Sequence, residues 1–234
     1  MHQDLRRGLR DGLPIALGYF PVSFTFGILA VSGGLSFWQA TLISLMNLTS
    51  AGQFAGLSVM TAGGPLVEMA LSQLIINLRY SLMSISLSQK VDGSVRGLAR
   101  WSFPFSVTDE IFAVSAARPE PVTQRYWAAL RILPIAGWTL GTLCGALLGA
   151  VLPQRLLEAL GIALYAMFIA IIVPAARRDV HVCLACVLAV AFSCVFFFTP
   201  ALSAVGSGFS VIICAVAASS AAAVLFPVGE EEGA

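Results

Sequence analysis

The sequence predicts an all-α polytopic membrane protein, with about six full transmembrane helices plus two broken or re-entrant segments, seven or eight hydrophobic segments in all. Three observations predict it. The chain of 234 residues is 58% hydrophobic and 11% charged, with a mean hydropathy of +0.89. A soluble domain is about 25% charged. A soluble core cannot use so much apolar side chain, so the bilayer is the solvent. Second, no hydrophilic run is long enough to form a separate domain, and residues 1–234 read as one transmembrane domain. Third, two of the apolar segments carry polar residues at their centres, where hydrocarbon offers no hydrogen-bond partner.

In chain order, residues 1–12 form a cytoplasmic N-terminal segment with Arg6, Arg7 and Arg10 ahead of a long apolar run. No small-residue cleavage site follows a short apolar core, so the run is read as an uncleaved first span over 13–33. Pro14 suits a helix start there, and Pro21 is expected to kink or break the helix. The second segment covers 39–61 and the third 66–87. A basic loop with Lys90, Arg96 and Arg100 leads to a weaker fourth segment, 101–117, which holds Pro104 and the pair Asp109-Glu110. Four ordinary spans follow over 127–151, 156–174, 182–198 and 204–226, and the chain closes in an acidic tail, 228–234.

Basic loop residues discriminate between topologies, because Lys and Arg collect on the cytoplasmic side. Arg79 and Arg131 lie within segments, which leaves eleven basic residues to count. If all eight segments cross, seven are inside and four outside, namely Lys90, Arg96, Arg100 and Arg155. If the second and fourth segments dip and return, only Arg155 stays outside, ten against one. If the second crosses and the fourth does not, the inside holds four against seven. The charges favour six full spans, two re-entrant segments, and both termini inside. Interrupted helices are where transporters build substrate sites, since unwound backbone is tolerated around a cavity.

Both proposed re-entrant segments carry Asn, Gln, Asp or Glu in the middle, and the third segment is polar along one face. In the second segment Asn47, Thr49, Ser50 and Gln53 surround Gly52. If the helix breaks there, the N-terminus of its second half offers an anion site; the alternative is a continuous helix with interhelical contacts. In the third, Gln73, Asn77, Ser81, Ser84 and Ser88 recur at helical spacing and make one polar stripe, which either lines a water-filled path or glues helices together. Arg79 points away from that stripe. It binds a carboxylate, pairs with Asp109 or Glu110, or extends to the cytoplasmic headgroups. Asp109 and Glu110 either meet a substrate ammonium or a coupling proton, or sit in a loop outside the bilayer or pair with Arg131. Glu68, close to a span end, reads as interfacial.

Other chemistries find little support. A net charge of +1 argues against a nucleic-acid partner. The five cysteines sit in apolar segments and read as small hydrophobes. His181 with Cys183 and Cys186 invites a zinc reading, but a closed site needs four ligands and no second cluster exists, so packing is expected and no metal. Gly206-Ser207-Gly208 has no base suitably placed and reads as close helix packing. No glycine-rich loop precedes a Lys-Ser/Thr pair. Neither an enzyme nor a cofactor is expected.

The stretches Asp11-Gly12-Leu13-Pro14-Ile15-Ala16-Leu17-Gly18, Ser50-Ala51-Gly52-Gln53-Phe54, Asn77-Leu78-Arg79-Tyr80 and Thr108-Asp109-Glu110 resemble signatures of the AzlC-type, azaleucine-resistance family of branched-chain amino acid permeases. The resemblance covers roughly the first half of the chain, to about residue 117. It implies a bacterial inner-membrane exporter of valine, leucine, isoleucine and sometimes methionine, driven by the proton-motive force, with a small AzlD-type membrane partner. The expectation is therefore a multi-pass secondary transporter for neutral aliphatic amino acids with its N-terminus in the cytoplasm. Asn47, Thr49, Ser50, Gly52, Gln53, Gln73, Asn77, Arg79 and Tyr80 are its candidate substrate residues, and Asp109 and Glu110 its candidate coupling groups. The alternatives are a non-transporting membrane subunit and a channel for another small solute.

Overall fold

The computed structural model describes residues 2–153, 176–199 and 205–226, with isolated positions from 155 to 174 and at 202. Most of the expected span 156–174 and the whole acidic tail lie outside the described residues. Among the described residues the helices are α1 (His2–Ser32), α2 (Phe37–Met46), α3 (Ala51–Thr61), α4 (Leu66–Ser88), the single turn α5 (Leu98–Trp101), α6 (Asp109–Ala117), α7 (Gln124–Leu148), α8 (Val180–Phe198) and α9 (Ser207–Leu225). The described residues form no strand; one isolated bridge joins Val91 and Val122. Four helices, α1, α7, α8 and α9, are long and apolar enough to cross a membrane. With 23 residues α4 has the length, but Glu68, Arg79 and its polar stripe lower its hydropathy below theirs. Two units form, residues 1–57 with 76–164, and 58–75 with 165–234.

The first unit is built on α1 against α7. Their contact is a seam of small residues. A methyl group at Gly12 would overlap the Leu130 carbonyl oxygen, one at Gly27 the Thr142 carbonyl oxygen, and one at Gly145 the Phe24 carbonyl oxygen. On α7 the seam is Gly137, Gly141 and Gly145, spaced one helical turn apart, the small-xxx-small pattern that lets two membrane helices touch backbone to backbone. The contacts climb together along both chains, from Gly8 beside Tyr126 to Phe24 beside Gly145, so α1 and α7 run parallel. If α1, α4 and α7 all cross, parallel packing rules out the topology in which only one of the two interrupted segments crosses. It is compatible with both crossing or neither.

Two expectations for α1 need correction. Pro14 does not start the helix, and Pro21 does not break it, because both lie inside one 31-residue helix. Each proline removes one backbone hydrogen bond, yet the helix continues through both, packed along its length on α7. The start of α1 is tied as well. Asp4 accepts from Arg118 (3.2 Å) and from the Thr123 hydroxyl (2.9 Å), and Tyr126 donates to Asp11 (2.8 Å). Thr123 also caps α7 by accepting from the Tyr126 N–H.

Both segments that the charges singled out are interrupted. The second is split into α2 and α3 by residues 47–50. α2 begins on a capping box between Ser36 and Gln39 and packs with α1 and α7 around Phe26, Ala30, Ala40, Leu57 and Ala146. The fourth is split into the turn α5, a 3-10 turn at Pro104–Ser106, and α6, which Thr108 caps.

In the second unit α8 and α9 pack on each other. Glu68, close to a span end, is buried there, 4% exposed. Its Oε1 accepts from the N–H groups of Gly208 (2.7 Å) and Phe209 (3.3 Å) in the first turn of α9. A carboxylate is favoured at a helix N-terminus by the dipole and the unpaired N–H groups. Gly206 and Gly208 are small because Glu68 of α4 lies against both and Val59 of α3 against Gly208, so the expected close packing is made on a side chain rather than backbone to backbone.

The seam makes a direct prediction. Gly145→Leu should cost more than about 3 kcal/mol, since backbone cannot yield as a side chain does. Gly18→Leu, on the same pair of helices but with nothing within 4 Å, should leave stability unchanged. Denaturant unfolding of both variants in detergent checks the contrast.

Candidate functional site

The α2–α3 break arises from its residue types. Asn, Thr and Ser side chains compete with helical hydrogen bonding. Asn47 leaves α2 in extended conformation, and its Oδ1 accepts from the Thr49 N–H (3.2 Å). Ser50 then takes φ +44°, left-handed backbone that costs a non-glycine residue of order 1 kcal/mol. The Gly52 N–H returns to the Thr49 carbonyl (3.1 Å) and the Phe54 N–H to that of Ser50 (3.1 Å), starting α3.

Gln53 buckles the two halves together. It is 2% exposed, donates through Nε2 to Ser44 Oγ of α2 (2.6 Å), and accepts from Trp138 Nε1 of α7 (2.8 Å). Ser44 in turn meets Thr142 of α7 (2.6 Å). The break is thus bolted to the α1–α7 pair by four buried side chains.

A cavity of about 510 Å³ opens at the break. The break supplies Met46, Asn47, Leu48 and Thr49; α4 supplies Asn77, Tyr80, Ser81, Ser84 and Ile85; Pro104, Phe105 and Val107 close it from the fourth segment. The volume is that of a small-molecule site, mostly apolar with a few polar groups. The polar stripe of α4 therefore lines a space at Asn77, Ser81 and Ser84. Thr49 Oγ1 and Ser50 Oγ are buried and have no hydrogen-bond partner among the described residues. Such hydroxyls normally find water or a ligand, because leaving one unpaired costs about 1–3 kcal/mol.

Beside the cavity runs a chain of charged contacts. Arg79 Nη1 lies 2.9 Å and 3.2 Å from the two oxygens of Asp109. Its Nη2 donates to the Tyr80 hydroxyl (2.9 Å), which donates to the Thr49 carbonyl (3.3 Å). The Arg79 guanidinium also stands 4.7 Å over the Tyr80 ring. One path of contacts thus joins the fourth segment, α4 and the α2–α3 break. Asp109 and Glu110 occupy the first turn of α6, where carboxylates are favoured. Glu110 accepts from the hydroxyl of Tyr19 on α1, which lies 2.6 Å from Thr108 Oγ1. Arg131 does not reach either acid; it donates to the carbonyl and hydroxyl oxygens of Ser102.

The structure therefore gathers Asn47, Thr49, Asn77 and Tyr80 at the cavity, with Arg79 and Asp109 one contact behind. Ser50 and Gly52 shape the break, Gln53 pins it, and Glu110 is held by Tyr19. Gln73 belongs to the second unit. Tyr19, Ser44, Trp138 and Thr142 escaped the sequence reading. A lone aromatic or hydroxyl in an apolar span carries no signal, although the Gly137-x3-Gly141-x3-Gly145 run marks α7 as an interface.

Interrupted helices, a cavity at the break and an ion pair beside it define a polytopic helical membrane protein with a broken-helix site. The chain belongs to the AzlC family: the AzlC protein family matches residues 14–152, most of the first unit. It is similar to a membrane protein of Archaeoglobus fulgidus, 32% identical over 175 residues that make up 72% of this chain and 74% of the relative. It is also similar to the inner membrane protein YgaZ of Escherichia coli, 29% identical over 200 residues, 82% of this chain and 81% of YgaZ. A Helicobacter pylori membrane protein is 28% identical over 160 residues, 64% of this chain and 68% of that protein. No solved structure matches the chain. Family and relatives point to a membrane protein of transporter type.

The buckle predicts a specific coupling. Gln53→Leu and Trp138→Phe should each cost about 2 kcal/mol by leaving buried polar groups unpaired. The double variant should cost clearly less than their sum, because the two side chains satisfy each other. Unfolding of the four proteins in detergent measures the difference.

Proposed function

We propose that this chain is a secondary transporter that exports neutral aliphatic amino acids, the branched-chain ones first, across the bacterial inner membrane. In this reading the proton-motive force drives it, a small AzlD-type membrane subunit assists it, and its N-terminus is cytoplasmic. The observation that carries the reading is the cavity at the α2–α3 break, with apolar walls, the buried hydroxyl of Thr49, and the Arg79–Asp109 pair reached through Tyr80. An aliphatic amino acid needs an apolar pocket together with partners for a carboxylate and an ammonium group. Met46, Leu48, Ile85, Phe105 and Val107 suit its side chain, and Asn47, Thr49 and Asn77 suit its polar end.

The ion pair supplies a means of coupling. In the loaded site Asp109 meets the substrate ammonium and Arg79 its carboxylate. A proton arriving on Asp109 from outside neutralises it and expels the ammonium outward; its departure to the cytoplasm restores the carboxylate for the next substrate. Proton and ammonium thus compete for one carboxylate, so inward proton movement is exchanged for outward substrate. Glu110, held by Tyr19, is the second carboxylate of this path.

The test is efflux of preloaded labelled valine, leucine and methionine from cells lacking their own exporters, with the chain expressed alone and with a small partner subunit. Faster efflux, abolished by an uncoupler, is expected. Asp109→Asn should lower efflux at least about tenfold and leave the remainder insensitive to the uncoupler. Arg79→Gln should raise the substrate concentration needed for half-maximal efflux. No efflux in either setting, with the protein in the membrane, would remove amino acid export. Full uncoupler sensitivity in Asp109→Asn would remove Asp109 from coupling.

A further inference from the structure

We propose that the N-terminal end of α1 holds one anionic phospholipid, with its phosphate on Arg6 and Arg10 and an acyl chain along Leu9, Leu13 and Leu133. A cavity of about 810 Å³ lies there, lined by Gln3, Arg6, Arg7, Leu9, Arg10 and Leu13 of α1 with Leu133 of α7. It is separate from the substrate cavity and shares no lining residue with it.

The length of α1 places this groove at the headgroup level. Its 31 residues extend about 46 Å at 1.5 Å each, against a hydrocarbon core of about 30 Å. The apolar stretch from Leu13 to Ser32 fills that core, which leaves the turns bearing Arg6 and Arg10 among the headgroups. Arg6 and Arg10 stand one turn apart on a common face, and Leu9 and Leu13 stand one turn apart on the neighbouring one. Charge therefore meets the phosphate level while apolar surface runs inward from it.

The other charges of α1, and Arg118 beside them, already have partners. Arg7 pairs with Glu120 at 3.0 Å, and Arg118 pairs with Asp4 while stacking 4.0 Å over the Tyr126 ring. Asp11 accepts from Tyr126. Among the described residues no carboxylate pairs with Arg6 or Arg10. Two uncompensated guanidinium groups beside a leucine wall fit a ligand that joins a phosphate to acyl chains, and arginine engages phosphate through two parallel hydrogen bonds. Basic grooves between helices at the cytoplasmic face are suited to anionic lipid headgroups.

Native mass spectrometry of the full chain in mild detergent tests the site, with phosphatidylglycerol, phosphatidylcholine and inorganic phosphate as probes. The expected result is one retained phosphatidylglycerol and no retained phosphatidylcholine. Arg6→Gln with Arg10→Gln should lower retention at least about fivefold, whereas Arg177→Gln with Arg178→Gln, which removes the same charge elsewhere, should not change it. Leu133→Ser, which keeps every charge, should also lower retention. If the glutamine pair does not fold, Arg6→Lys with Arg10→Lys keeps the charge, loses the two-pronged contact and should still reduce retention. Equal losses from both arginine pairs would overturn the proposal, as would retention of phosphatidylcholine or unchanged retention in the lysine pair. Displacement of the lipid by millimolar inorganic phosphate, with Leu133→Ser silent, would make this a free-anion site and overturn the lipid.

Discussion

Everything in the first unit hangs on the backbone contact between α1 and α7. Hydrophobic burial does not hold two helices together in a bilayer, because lipid is as apolar as they are. What holds them is close approach, and close approach requires that no side chain intervene. Gly12 and Gly27 on one helix and Gly141 and Gly145 on the other provide that gap. The pair then offers a frame on which irregular backbone can be mounted, and α1 continues through two prolines as one helix.

The candidate site is suspended from that frame at two points. Trp138 and Thr142 of α7 hold the α2–α3 break through Gln53 and Ser44, and Tyr19 of α1 holds the start of α6 through Glu110. Tyr19 and Trp138 also meet edge to face, with ring centroids 5.3 Å apart, so the two holding points are mechanically one. Between them runs the path Asp109, Arg79, Tyr80, Thr49, the charged part of the assembly. The ion pair joins α4 to the fourth segment, and Tyr80 carries the path on to the second, so a change of charge at Asp109 is felt at the α2–α3 break.

The second unit solves a different problem with the same physics. A carboxylate near a span end could sit at the surface and need no partner. Glu68 instead turns inward and satisfies the first N–H groups of α9, with Gly206 and Gly208 making room for it. Glu68 and the Gly206-Ser207-Gly208 run are 140 residues apart in the chain, and neither explains the other until the fold brings them together.

The sequence by itself determined the solvent, the helical class and the places where helices fail. Composition excludes a soluble core, and Asn47, Thr49 and Ser50 compete locally with the helix that carries them, as does Pro104 in the fourth segment. These are short-range effects, legible wherever the residues stand together. Family membership was legible for the same reason, in short stretches of adjacent residues. The tertiary structure alone decided which polar residues line the cavity and which brace. Gln53 and Asn47 are equally polar and six positions apart, yet one is locked between Ser44 and Trp138 while the other faces the cavity. Arg79 had three partners in prospect, and only the placement of α6 assigned it Asp109. Hydrogen bonds are directional and reach about 3 Å, so a side chain's role depends on what the fold places within that distance, and sequence spacing does not encode it across a hundred residues.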